Sequence, residues 1–318
     1  MPKIAYGQNA EDIIIARVFG ERATGFYLDI GASHPNESIT TSLYEQGWSG
    51  VNVEPLPLYH AELEAVRPRD RNLAIAISDR SGTATLFANP TADLGGLSTL
   101  DADQASKLNA AGIATEPLAV PVRTLAELCA EFAEGRTIDL LKIDVEGHEG
   151  KVIAGGDWLQ FRPRVVVVEA TEPMSPKPSH QEWEPTLLNA GYHFALFDGL
   201  NRFYVRDEDR EWLPVLSVPA NVFDDYITRN HHWEKSNLTE SLGHYMKAHE
   251  LDSETYFRDV TRMTGEYALL DKELTFLRLH YERPGFRTVA ELAGRWAGAA
   301  RRKVVSAVRS AVLPLAGG

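Results

Sequence analysis

The sequence is poor in cysteine and lacks the glycine pattern that binds dinucleotides. Cys129 is the single cysteine among 318 residues, so no disulfide can form within the chain, which suits a reducing compartment. The turn after residue 30 contains Gly31 but no further glycine of a G-x-G-x-x-G pattern. This absence disfavours pyrophosphate binding, and with it a nicotinamide oxidoreductase.

Long apolar runs and an excess of positive charge are missing as well. No segment approaches the ~20 apolar residues that span a membrane, and the first residues lack the basic-then-apolar pattern of a secretory leader. The formal net charge of −13 argues against nucleic acid as a main partner. We therefore expect a cytoplasmic protein.

Apolar strands alternate with amphipathic helices up to about residue 205. We predict strands at 26–30, 51–53, 72–77, 83–87, 118–122, 138–143, 165–168, 192–197 and 202–205. Such alternation predicts an α/β fold with a doubly wound, mostly parallel sheet. The segment Asp198-Gly199-Leu200-Asn201 predicts a closing hairpin that makes one edge antiparallel.

Acidic side chains accompany the ends of five predicted strands. They are Asp29, Glu54, Asp79, Asp144 and Glu169. Because ligands bind at the carboxyl ends of parallel strands, we predict an active site along this rim. Gly31 lets the backbone approach a ligand closely, and Glu54 stands where an acid can accept hydrogen bonds from both ribose hydroxyls. A nucleoside without phosphate, such as S-adenosylmethionine, fits this combination.

A heptad pattern begins after about residue 236. Its apolar positions are Tyr256, Val260, Met263, Tyr267, Leu270, Leu274, Leu277 and Tyr281. The period of about 3.5 residues predicts a helix over about 254–282 with a coiled-coil seam. Two interpretations remain open: self-association through the 256–281 seam, or a helix packed on its own domain.

A basic segment follows the heptads. Residues 283–318 contain seven basic side chains and one acid, Glu291, and apolar spacing predicts an amphipathic helix over about 286–312. Such a helix can lie on the inner face of an anionic membrane. It can equally dock on the acidic body of the chain or form a loose tail.

Several separated motifs suggest a family. They are YGQNAED at 6–12, YLDIGASHP at 27–35, GWSGVNVEP at 47–55, RPRD at 67–70, IDLLKIDVEGHE at 138–149, RP at 162–163 and NVFDD at 221–225. In their order and spacing, residues 5–228 resemble the FkbM-type S-adenosylmethionine-dependent methyltransferases. The resemblance implies a seven-stranded Rossmann-like methyltransferase domain over 1–228, a helical extension over 229–318 outside the match, and O-methylation of a hydroxyl.

The resemblance also implies a set of cofactor-binding residues. They are Gln8, Asp29, Gly31, Ala32, Glu54, Ser78, Asp79 and Asp144. Asp29 and Gly31 would line the methionine moiety, Glu54 would hold the ribose, and Ser78 and Asp79 would lie at the adenine. Ser33 and Ile39 depart from the residues common in the family, which leaves the fine contacts at the methionine end open.

The predicted catalytic set is His148, Asp144 and Glu146. A hydroxyl needs help to lose its proton, and an imidazole titrates near neutral pH, so His148 is the predicted base. Its alternative role is to cap the following helix. Asp144 and Glu169 are candidate ligands for Mg²⁺ or Mn²⁺, which would lower the pKa of the hydroxyl. Alternatively, Asp144 holds the cofactor amine and Glu169 bonds to the loop.

Three functions are compatible with this pattern. The leading hypothesis is O-methylation of a sugar, glycolipid or polysaccharide by a homo-oligomer located at the inner face of a membrane. The alternatives are O-methylation of a polyketide-like secondary metabolite and a non-catalytic scaffold in glycan assembly. The tail favours the first, because a small-molecule enzyme has little need for a heptad seam and a basic helix.

Overall fold

The computed structural model describes residues 2–89, 97–233 and 236–237. The chain divides into two units between Glu234 and Lys235, and the fold below is that of the first unit. The predicted heptad helix at about 254–282 and the basic helix at about 286–312 lie outside the described residues. Self-association and membrane contact therefore stay predictions.

Strands and helices alternate through most of the first unit, as the apolar pattern predicts. The strands are β1 Lys3–Ala5, β2 Phe26–Ile30, β3 Ser49–Val53, β4 Arg71–Leu73, β5 Ala76–Ser78, β6 Gly82–Ala88, β7 Glu116–Thr124, β8 Leu140–Ile143, β9 Val165–Glu169, β10 Tyr192–Phe197, β11 Asn201–Arg206 and β12 Tyr226–Thr228. The α-helices are α1 Glu11–Phe19, α2 Thr41–Glu45, α3 Pro57–Val66, α4 Ala102–Ala110, α5 Leu125–Phe132, α6 Glu149–Ala154, α7 Glu184–Asn189 and α8 Leu213–Leu216. None of the helices in the described ranges is long and apolar enough to cross a membrane.

A seven-stranded mixed sheet with the order β10-β11-β9-β8-β2-β3-β4 forms the centre of this unit. Strand β11 pairs antiparallel with β9 and β10, and the other pairs are parallel. This confirms the predicted seven-stranded α/β sheet and its antiparallel hairpin at one edge.

The central strands are apolar because both faces of the sheet are covered. Successive residues of a strand point to opposite faces, so Leu141 packs in one apolar cluster with α5 and α6, and Leu140 packs in a second with α1. Strand β9 is buried at every position. The two clusters hold the carboxyl ends of β2, β8 and β9 in fixed register.

The predicted strand at 72–77 is wrong, because the structure divides it in two. Strand β4 ends at Leu73 in the main sheet, whereas β5 begins at Ala76 and pairs with β7 in a separate three-stranded sheet, β5-β7-β6. The apolar side chain of Ala76 packs with Leu86, Val120 and Val122. Because Ala76 is buried in this apolar cluster, the chain after β4 joins the second sheet and does not continue along the main sheet.

Four of the five predicted acids lie at the carboxyl ends of main-sheet strands. They are Asp29 in β2, Glu54 after β3, Asp144 after β8 and Glu169 in β9. Asp29 is the penultimate residue of β2, and its side chain is fully buried. Asp79 instead follows β5 and lies at the end of the second sheet, so the predicted rim is corrected at this residue.

The RPRD motif fastens the loop after β2 to the body of the sheet. Arg67 is buried and donates to Thr40 Oγ1 at 2.7 Å and to the Pro35 carbonyl oxygen at 2.6 Å. Asp70 accepts hydrogen bonds from the Gly50 amide at 2.8 Å and from the Tyr27 hydroxyl. The motif thus joins β2, β3 and the loop at 31–41.

The NVFDD motif at 221–225 lies directly before β12, near the C-terminal end of the described unit. Strand β12 pairs in parallel with β1. Asp224 accepts from the Arg17 guanidinium at 2.7 and 2.9 Å, and Arg17 lies on α1. The first and last strands of the described unit therefore pair with each other, and the segment before β12 is held to α1.

Substitution of Arg67 by lysine should lower stability by about 2–4 kcal/mol, because lysine keeps the charge but loses the guanidinium fork that satisfies buried oxygens. The free energy of unfolding in urea measures this loss. The matched control is Arg80→Lys, whose side chain is 86% exposed, and we expect less than about 0.5 kcal/mol there. Equal losses in the two variants would contradict the fastening role of Arg67.

Candidate functional site

Loops that follow β2, β3 and β8 enclose a cavity of about 730 Å³, a size typical of small-molecule sites. Seven of the predicted site residues line it. They are Gln8, Gly31, Ala32, Glu54, Asp144, Glu146 and His148. The structure thus brings together most of a set that is spread over 140 positions of the sequence.

Gly31 permits a close approach between two of these loops. Its φ angle is +79°, and a Cβ atom placed there would lie 1.8 Å from the Asp144 carbonyl oxygen. Any side chain at this position would force the ends of β2 and β8 apart. Gly31 thus permits a close backbone approach, here to the backbone of Asp144.

Glu54 is held with both carboxylate oxygens oriented by backbone amides. Oε1 accepts from the Leu56 amide and Oε2 from the Ser33 amide, each at 2.8 Å. Burial raises the pKa of Glu54 to about 7, although these two amides oppose the shift. Each carboxylate oxygen can accept a further hydrogen bond, so Glu54 can bind a pair of hydroxyl groups.

Lys142 is a site residue that the sequence prediction missed. Its Nζ donates to the Gly31 carbonyl oxygen at 2.7 Å and lies 3.3 Å from Asp144 Oδ2 and 3.5 Å from Asp29 Oδ1. Burial alone lowers the pKa of Lys142, but the two carboxylates outweigh it and raise that pKa above its usual value. The available signal was a lysine inside the apolar strand LLKI, since a buried lysine needs partners.

Asp29 lies behind the cavity and is not among the residues that line it. Its side chain has no exposed surface, and Oδ2 accepts from Thr40 Oγ1 at 2.7 Å and from the Ser38 hydroxyl. Asp29 contacts Lys142, which does line the cavity. The contact of Asp29 with a methionine moiety stays a prediction.

Ser78 and Asp79 lie beside His148 rather than in the cavity lining. Ser78 Oγ is 2.9 Å from His148 Nε2 and 3.2 Å from Asp79 Oδ1, to which it donates. Ser78 can then accept from His148 Nε2–H, which leaves Nδ1 as the basic atom of a neutral imidazole. Burial lowers the pKa of His148 and favours that neutral form.

The alternative role of His148 as a helix cap is not observed. His148 precedes α6, but its side chain accepts no capping hydrogen bond from that helix. The imidazole bonds to Ser78 and faces the cavity instead. The position therefore remains available for acid–base chemistry.

Three carboxylates meet at the carboxyl ends of β8 and β9. Oxygen atoms of Asp144, Glu146 and Glu169 lie within 4.8 Å of one another. Burial and the neighbouring acids raise the pKa of Glu169 to about 11, and burial together with Asp144 raises the pKa of Glu146. The predicted pair of Asp144 and Glu169 is thus brought together, and Glu146 joins it.

The model of the methyltransferase FkbM domain matches residues 29–194. No curated protein matches the chain. One matching solved structure is CalO1, described as a methyltransferase in calicheamicin biosynthesis in its SAH-bound form, with 17% identity and a TM-score of 0.27. The match covers 62% of this chain and 54% of CalO1, so the chain spans about half the length of that protein.

The segment matched by the family model makes up more than half of the sequence. It contains the Gly31 turn, the end of β3 with Glu54, and the turn from Asp144 to His148. These parts contribute lining residues to the cavity. The chain therefore belongs to the FkbM methyltransferase family.

Proposed function

We propose that this chain transfers a methyl group from S-adenosylmethionine to a hydroxyl of a sugar, glycolipid or polysaccharide. One observation carries the proposal: Glu54, oriented by two backbone amides, shares a cavity with His148 and the Gly31 turn. An acid that can bind ribose hydroxyls and a base that can accept a proton thus face one space. The acidic lining also suits a cofactor whose reacting centre is a sulfonium cation.

The distribution of polar groups supports a hydroxyl-rich acceptor. The lining also contains apolar side chains, among them Leu56 shortly after Glu54, Leu58 on α3 and Leu86 in the second sheet. An adenine would lie against these side chains. Gln8, Asn201 and other polar residues also line the cavity. Side-chain amides can donate hydrogen bonds to sugar hydroxyls and accept them, and ionised carboxylates can accept them.

His148 would accept the proton of the attacking hydroxyl as its oxygen bonds to the methyl carbon and the methyl–sulfur bond breaks, which leaves S-adenosylhomocysteine as a neutral thioether. Holding oxygen and methyl in line supplies much of the rate, and a positioned base contributes roughly 10²–10⁴-fold. The proposal also includes Mg²⁺ or Mn²⁺ at Asp144 and Glu169, which would polarise the hydroxyl.

Glu54→Gln should weaken binding of S-adenosylhomocysteine at least about tenfold at pH 8, because one carboxylate oxygen is replaced by an amide donor. Wild-type affinity should also fall as pH drops. Ribose hydroxyls donate to the ionised carboxylate, and a pKa of about 7 means that this form declines roughly tenfold between pH 8 and pH 6. Calorimetric titration at both pH values measures the two effects.

In the Glu54→Gln variant the affinity should be nearly independent of pH over the same range. Glu64→Gln, on the exposed side of α3, is the control and should keep both the affinity and the pH dependence of the wild type. An unchanged affinity in Glu54→Gln would contradict the ribose role.

His148→Gln should lower kcat by about 10²–10⁴-fold with little change in the KM for S-adenosylmethionine. Labelled-methyl transfer to a panel of sugars, oligosaccharides and phenolic polyketides measures it. The control is His193→Gln, a half-exposed residue paired with Asp207. Transfer to phenols alone would favour the secondary-metabolite alternative, and cofactor binding without transfer to any acceptor would favour the scaffold.

We also propose that the chain forms homo-oligomers through the 256–281 seam and contacts an anionic membrane through the basic segment. Leu274→Asp should reduce the mass measured by light scattering to that of a monomer, because a charge at a heptad core position opposes helix pairing. Thr275→Asp, one position off the seam, should leave the mass unchanged. A monomeric wild-type chain would contradict the proposal.

A further inference from the structure

The turn between β8 and α6 contains two successive residues with positive φ angles. Glu146 has a φ of +54° and Gly147 a φ of +94°. A non-glycine residue in the left-handed region is strained and persists only where the surrounding structure holds it. Buried Glu149 holds this turn, since its Oε1 accepts from the Val145 amide at 3.0 Å and the Gly147 amide at 3.1 Å.

This turn conformation determines where the Glu146 side chain lies. Its carboxylate comes within 4.8 Å of those of Asp144 and Glu169. Three carboxyl groups therefore converge, and they cannot all ionise there without mutual repulsion. Repulsion opposes this arrangement unless a cation compensates it.

Glu169 adds an independent observation. Its side chain is only 8% exposed, and its Oε2 has no hydrogen-bond partner among the described residues. A buried carboxylate oxygen without a partner is costly. The groups around it are the carboxylates of Asp144 and Glu146, which cannot donate when ionised.

The protein's own cations do not balance the group. In the described part of the chain, the ammonium of Lys142 is the cation in contact with Asp144, and it also bonds to the Gly31 carbonyl and pairs with Asp29. Its single charge is thus already shared between two carboxylates. Glu146 and Glu169 are left without a cationic partner in the described contacts.

We propose that Asp144, Glu146 and Glu169 together form a binding site for one divalent cation of the Mg²⁺ or Mn²⁺ class, with Glu146 as the third protein ligand. Such cations take oxygen ligands at about 2.0–2.2 Å, so the three oxygens need to close by about an ångström. Asp144 and Glu146 line the cavity, which leaves the remaining coordination positions open to a hydroxyl of the acceptor. The catalytic use of the ion rests on the proposed function, but the existence of the site does not.

The test is calorimetric titration with MnCl₂ in the absence of cofactor and acceptor. Wild type should bind one Mn²⁺ per chain, and Glu146→Gln and Glu169→Gln should each weaken that affinity at least tenfold. The control is Glu62→Gln, an acid of the same cavity outside the three-carboxylate group, which should keep the wild-type affinity.

Thermal melting separates loss of the site from loss of the fold. In EDTA, Glu146→Gln and Glu169→Gln should melt at or above the wild-type temperature, because each removes an acid whose ionisation in this group is opposed by its neighbours. Added Mn²⁺ should raise the melting temperature of the wild type and of Glu62→Gln, and leave the other two variants unmoved.

Absence of Mn²⁺ binding by the wild type would overturn the proposal, as would an equal loss in Glu62→Gln, which would indicate diffuse attraction to an acidic cavity. Because no cofactor is present, either result leaves the binding of S-adenosylhomocysteine to be judged separately. Conversely, a chain that binds Mn²⁺ through Glu146 but not S-adenosylhomocysteine would keep the site and refute the proposed function.

Discussion

The site depends on one buried ammonium group. Lys142 lies in the central strand β8 and holds the Gly31 carbonyl at 2.7 Å, with the carboxylates of Asp29 and Asp144 on either side. It thereby joins the end of β2 to the end of β8 at the point where Gly31 leaves no room for a side chain. Breaking a buried ion pair by removing one partner costs about 3–5 kcal/mol, so loss of Lys142 would strongly destabilise this junction.

The other features of the cavity follow from that junction. With β2 and β8 in register, Glu54 at the end of β3 meets the Ser33 amide, and the turn after Asp144 carries Glu146 and His148 to the same space. Arg67 holds the loop after β2 through its hydrogen bond to the Pro35 carbonyl oxygen. Nucleoside binding, proton transfer and cation binding are thus proposed for three walls of one cavity.

Much of the fold could be predicted because its signals are local. Apolar alternation indicated the parallel strands, and the capping box of Thr124 and Glu127 marks the start of α5. The division between β4 and β5 could not be predicted, because two adjacent apolar segments carry no local sign of which distant strand each will join. Pairing of β5 with β7 is decided by the separate apolar cluster around Ala76.

The site was predictable by residue type more than by role. Gly31 and Glu54 directly follow strands, where glycine and polar residues signal a ligand, and His148 lies in the turn between β8 and α6; all three line the cavity. Asp29 also stands near a strand end, but its side chain is buried against Lys142 and does not line the cavity. The position of Glu146 depends on a left-handed turn held by Glu149, which a motif alone does not reveal.

The most direct test of the central claim is a crystal structure of the protein with S-adenosylhomocysteine. We expect the nucleoside in the cavity, with the ribose hydroxyls within hydrogen-bonding distance of the Glu54 carboxylate and the sulfur facing His148. A nucleoside bound elsewhere, or a ribose without contact to Glu54, would contradict the account.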